Sequence, residues 1–90
     1  MLFLDDGSLL IAANAPRGGP DDGGGTIWWI PEPDGPGAPR LLHRFPEVRP
    51  EGLAFSPGRA GVVVVFDRGR KAPLWAEIAV PGFPAPGRAP

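Results

Sequence analysis

The sequence predicts an all-β chain, and three observations carry that expectation. Seven short apolar segments alternate with turn-forming residues, and within them apolar and polar positions repeat with a period nearer to that of a strand than of a helix. Fourteen Gly and fourteen Pro fall mostly between those segments, where they act as turns and loops, although the glycine-rich stretch 18–25 and the end 81–90 could be mobile. Every window long enough for a helix is broken by Pro or Gly.

Taken in order, residues 2–4 and Leu9–Asn14 flank Asp5-Asp6-Gly7-Ser8, whose Asp-Gly step is the usual composition of a tight hairpin, so the two segments should pair. Residues 26–30 follow a Gly-rich loop and stop at Pro31, which cannot donate a ladder hydrogen bond inside a sheet. Arg40–Phe45 follows a second Pro/Gly loop, and simple alternation puts Leu41, His43 and Phe45 on one face with Arg40 and Arg44 on the other. Residues 52–55, the turn Ser56-Pro57-Gly58 and the valine-rich run 61–66 form another hairpin. An uninterrupted apolar run of this kind suits a strand covered on both faces. Residues 74–80 alternate, with Leu74, Ala76, Ile78 and Val80 on one side and Trp75, Glu77 and Ala79 on the other.

Laid on itself, the chain repeats. Residues 1–7 match 52–58 at a displacement of 51, Leu9–Asn14 matches 62–67 at 53 with two extra residues in the second turn, and Ile30-Pro31 matches Val80-Pro81 at 50. A period near 50 with three or four strands per unit is the signature of β-propeller blades. The expected fold is therefore about two antiparallel blades of a larger β-propeller, the alternative being a small self-contained β-sandwich or barrel with an accidental repeat. Residues 1–45 would be a first blade lacking its start, 46–81 a second blade lacking its outer strand, and 82–90 a flexible Pro/Gly tail. On this reading the chain is a C-terminal fragment. An isolated pair leaves two outer faces uncovered, so its expected partners are the remaining blades of the parent or other copies of itself.

At Arg49-Pro50-Glu51-Gly52-Leu53-Ala54-Phe55, followed by Val62–Asp67, the sequence resembles bacterial propellers of uncharacterised function with a Lys/Arg-Pro-Glu-Gly-Leu blade start. These sit in a wider set of esterase-like phytase and gluconolactonase-like propellers, and the resemblance covers roughly residues 41–80. In calcium-dependent members, Glu at a blade start and Asn or Asp at strand ends are metal ligands around the central channel. The resemblance thus implies metal-ligand roles for Glu51, Asp67 and Asn14, and calcium as the cofactor of the full-length parent.

Strand geometry singles out the same residues independently. The start of one strand and the end of its antiparallel partner share a sheet edge, which places Glu51 near Asp67, while Asn14 occupies the equivalent of Asp67 in the other unit. The alternative is structural: Glu51 caps its turn by accepting backbone N–H bonds, and Asp67 and Asn14 form local turns before Gly69 and Pro16.

Composition excludes several functions. Net charge is −1 with acids and arginines interspersed, so no basic stripe offers itself to nucleic acid. The absence of Cys removes disulfides, thiolate zinc sites and Cys nucleophiles. No apolar run approaches a membrane span and the start lacks a signal peptide, so the chain is expected to be soluble and away from membranes, in an undetermined compartment, with the N-terminus of its parent missing. His43, the single histidine, is expected to be packed and hydrogen-bonded. Ser8 and Ser56 fall in turns without a nucleophile elbow, so no catalytic residue is assigned. Trp28, Trp29 and Trp75 would fill the space between blades or cover an edge, with a ligand platform as the alternative. Asp21-Asp22 reads as a solvated turn, and the glycines match no dinucleotide or phosphate loop. The expected function is a structural and ligand-binding segment without activity of its own. The alternatives are part of a calcium-dependent phytase-like or lactonase-like hydrolase, and a small β interaction domain.

Overall fold

The computed structural model describes residues 1–20, 22–56, 61–67, 71 and 74–80. These form seven strands in two antiparallel sheets, with no helix among the described residues. Strands β1 (Leu2–Phe3), β2 (Leu9–Asn14), β3 (Gly25–Ile30) and β4 (Arg40–Phe45) make the first sheet in chain order, and β5 (Arg49–Phe55), β6 (Val62–Asp67) and β7 (Leu74–Ile78) make the second. The strand that opens the second hairpin thus starts at Arg49, three residues before the 52–55 expected from the apolar run. No helix among the described residues is long and apolar enough to cross a membrane.

The β1–β2 turn shows how local chemistry sets the first hairpin. The Gly7 N–H donates to the Leu4 carbonyl at 3.0 Å, and the Leu4 N–H donates to the Ser8 carbonyl at 2.8 Å. Gly7 sits at φ +89°, the left-handed position that closes a three-residue hairpin loop. Asp6 Oδ1 accepts the Ser8 N–H at 2.9 Å and the Ser8 hydroxyl at 2.5 Å, which buries Ser8 and ties the loop to the strand. The hydroxyl bond, then the backbone bond, hold the Asp6 carboxyl below its ordinary value of 3.8. Because the folded value is the lower one, ionised Asp6 stabilises the hairpin above pH 3.8, and that contribution is lost as the pH falls through the folded value. Thermal melts from about pH 7 down to about pH 2 should therefore show a shallower acid decline for Asp6→Asn than for the native chain. Equal declines would mean that other carboxylates govern acid stability.

Pairing also corrects the internal alignment. Phe3 faces Leu9 and Phe55 faces Val62, so the first strands are displaced by 52, not 51, while the second strands are displaced by 53. The second turn is longer by one residue, not two, since Leu4 bonds Ser8 in the first hairpin and Ser56 bonds Gly61 in the second. One residue of slip exchanges the two faces of a strand, so the hydrogen-bond register decides which residues correspond.

A bulge overturns the simple alternation expected of β4. Ile27 faces His43 but Trp28 faces Leu41, which leaves Leu42 as the extra residue. Leu42 consequently packs on the core, and Leu41 turns out to half exposure instead of joining His43 and Phe45. The face expected of β7 is observed at Ala76, Ile78 and Val80, which pack inward while Trp75 points out, but Leu74, expected with them, is 38% exposed.

The core lies between the sheets. Leu10 and Ile27 of the first sheet and Val62 and Val64 of the second are fully buried there, with Leu4, Phe66, Ile78 and Val80 completing the cluster. The Phe45 ring meets the edge of Phe66 at 4.9 Å and 75°. His43 Nε2 lies 3.1 Å from the Ala79 carbonyl; since a carbonyl only accepts, Nε2 carries the donated proton. The valine-rich β6 is covered on one face only, contrary to expectation: Val62, Val64 and Phe66 are buried while Val65 is 41% exposed. The second turn's Pro57-Gly58 and the 82–90 tail lie outside the described residues.

Candidate functional site

Strand β5 enters its sheet through a β-bulge. Arg49 faces Asp67 and Pro50 faces Phe66, but the next pair is Gly52 with Val65, so Glu51 has no opposite residue. Pro50 lacks an N–H for the ladder, and an irregular strand start accommodates that loss. The extra residue re-aims the Glu51 side chain outward, where it is exposed.

Two glycines bring the first sheet against this strand start. A side-chain carbon at Gly25 would stand 2.5 Å from the Ala13 carbonyl oxygen and 2.6 Å from Pro50 Cδ, so the β3 backbone lies directly on Pro50. Gly24 is equally confined, against the Phe45 carbonyl and the Pro46 backbone. Asn14, opposite Gly25 at the end of β2, is thereby carried to the start of β5.

Together these elements enclose a cleft of about 320 Å³ whose lining includes Asn14, Arg49, Glu51, Gly52 and Asp67. The structure thus brings Glu51, Asp67 and Asn14 to one place, contributed by both sheets. Among the described residues, neither the Glu51 nor the Asn14 side chain has a hydrogen-bond partner, so the turn-capping bond considered for Glu51 is not made there. A side-chain carbon at Gly52 would meet open space within 4 Å, so neither packing nor a left-handed backbone demands glycine at this point of the wall. Two carboxylates and one amide supply oxygen donors, and among the described residues no group of three His, Asp or Glu forms a metal-binding cluster. Asp67 also borders a second cleft of about 370 Å³ with Glu47, Val48 and Lys71.

Arg49 lines the cleft and pairs with Asp22, a partnership that the sequence did not single out. An Arg49 guanidinium nitrogen lies 3.6 Å from Asp22 Oδ1, and Asp22 Oδ2 accepts the Gly18 N–H at 2.9 Å. The only sequence signals were the position of Arg49 beside Pro50 and the acidic turn itself, and neither specifies the other as a partner. Asp21 lies outside the described residues.

The remaining candidates lie elsewhere. Trp28 Nε1 donates to Thr26 Oγ1 at 3.0 Å on the outer face of the first sheet. Trp29 turns toward the core, with the Arg40 guanidinium 5.5 Å from its ring centre. Trp75 is 61% exposed on the outer face of the second sheet. Ser8 and Ser56 are buried at hairpin turns, and neither borders the cleft. No protein-family model matches the chain, and no curated protein or solved structure matches it either.

Proposed function

We propose that the chain is a pair of neighbouring blades of a larger β-propeller and that it binds a cation or small polar ligand in the cleft where the blades meet. One observation carries the ligand reading: Glu51 and Asn14, from different sheets, open onto the same cleft without a side-chain hydrogen-bond partner among the described residues. Both side chains are exposed, and a bulge that turns a carboxylate toward a cleft leaves it available to an external partner. The blade reading is supported by the matching pairing of the two hairpins and by the exposed outer faces, which a ring would cover.

Oxygen donors of this kind suit calcium, which takes about six to eight oxygens, so Glu51, Asp67 and Asn14 would leave positions for water or ligand oxygens. Arg49 on the cleft wall would favour a ligand carrying an anionic group beside the cation. The other lining positions are Met1, Ala12, Pro50, Gly52 and Leu53, which offer no hydroxyl, thiol or imidazole side chain for catalysis. Binding is therefore the function this cleft supports best.

Calorimetric titration of the chain with calcium tests the proposal. The native chain should bind, Glu51→Gln should weaken binding by about tenfold or more, and Gly52→Ala should weaken it by narrowing the cleft with an unchanged melting curve. Absence of binding to the native chain, or equal binding by Glu51→Gln, would overturn the cation site.

A further inference from the structure

The pairing register makes the packing between the two sheets directional. Since Phe3–Leu9 corresponds to Phe55–Val62, Leu10 corresponds to Val63 and Ala12 to Val65. Leu10 and Ala12 belong to the core between the sheets, but Val65 is 41% exposed on the far side of the second sheet. The opposite face gives the complementary result. The pair Ile11–Trp28 corresponds to Val64–Ala76, and Leu9–Ile30 corresponds to Val62–Ile78. Val62, Val64 and Ile78 are buried under the first sheet, while their counterparts Leu9, Ile11 and Ile30 stand outside that cluster, Leu9 buried at 7% exposure and Ile11 and Ile30 opening, with Trp28, onto the outer side.

The front of one sheet therefore packs on the back of the next, leaving one unused front and one unused back in each chain. The knob and the hole can be named from the same correspondence. Ala12 faces Ile27 in the first sheet and Val65 faces Trp75 in the second, so Trp75 is the counterpart of Ile27. Ile27 is completely buried against the second sheet, whereas Trp75 is 61% exposed. Ile11, Trp28 and Ile30, the counterparts of the surface beneath Ile27, line with Pro39 an apolar groove of about 320 Å³.

We propose that a second copy of this chain occupies the exposed face of the second sheet head to tail, with Trp75 of one copy seated in the Ile11–Trp28–Ile30 groove of the next. The occupant follows from continuity with the interface already inside the chain, which this contact repeats by the same front-to-back relation. Such an interface is heterologous, so it leaves a front and a back free at the ends of an assembly and extends until a ring closes or the concentration limits it. The inference rests on the equivalence of the two sheets but does not depend on the ligand cleft.

Sedimentation velocity with two face-blocking variants tests it. The native chain should sediment as concentration-dependent oligomers, while Trp75→Glu and Ile11→Glu should each be monomeric with native-like circular dichroism. Each substitution should weaken association by about 30-fold or more, as expected at the centre of an interface. Mixing the two variants should restore a one-to-one dimer, because each retains the face the other lacks. The proposal is overturned by a monomeric native chain, by oligomers insensitive to both substitutions, or by Ile11→Glu alone remaining dimeric, which would mark a front-to-front contact. Failure to restore a dimer on mixing folded variants would also overturn it. Calcium binding by the monomeric variants reports on the cleft separately, so the two proposals can fail independently.

Discussion

Phe66→Ala is expected to remove most of the stability of this chain. Phe66 lies in the central strand of the second sheet, is 5% exposed and meets the Phe45 ring of the first sheet edge-on at 4.9 Å. Truncation removes the ring from the contact that holds the sheets together and leaves a cavity that the hydrogen-bonded strands cannot collapse to fill. Such replacements cost about 3–5 kcal/mol, against a total of about 5–15 kcal/mol for ordinary domains, and a chain of this size belongs toward the low end. Urea unfolding followed by tryptophan fluorescence should show a midpoint displaced far toward zero denaturant. Asp34→Ala, at an exposed loop position, should change stability by no more than about 0.5 kcal/mol. Comparable losses from both would contradict the packing of the two sheets through Phe66.

Gly25→Ala should be the next most damaging change, and its effect should reach the cleft. The new methyl carbon would stand 2.5 Å from the Ala13 carbonyl oxygen and 2.6 Å from Pro50 Cδ, and neither neighbour is the flexible end of a long side chain. Relief requires β2 and β3 to separate or the first sheet to lift from Pro50. Overpacking of this kind costs about 1–3 kcal/mol, and the second response also carries Asn14 away from Glu51. Gly25→Ala should therefore lower both the unfolding midpoint and calcium affinity, while Gly52→Ala, which meets no atom within 4 Å, should lower affinity alone. An unchanged unfolding midpoint for Gly25→Ala would show that β3 does not lie against Pro50.

The strand pattern was legible in the sequence because its causes are local. Alternation, β-branched runs and Asp-Gly or Pro-rich breaks located β2 and β4 at Leu9–Asn14 and Arg40–Phe45, the bounds the structure has. Antiparallel pairing within one hairpin likewise pointed to the meeting of the β5 start with the β6 end, but the residue that faces Asp67 is Arg49, while Glu51 sits in the bulge and shares only the cleft lining with Asp67.

Features that depend on distant neighbours were not accessible in this way. The bulge in β4 exchanges Leu41 for Leu42 on the core, and alternation within the segment could not show it because a bulge is defined by pairing with another strand. The ion pair of Arg49 with Asp22, the bond of His43 to Ala79 and the approach of Gly25 to Pro50 arise only once the strands and sheets have been placed against one another. Composition marked β6 as apolar throughout, but only sheet packing decided that Val62, Val64 and Phe66 would be covered and Val65 exposed. Local periodicity and turn chemistry specify where strands run. Which face is buried, and which side chains meet in a cleft, depend on register and stacking between segments far apart in the chain.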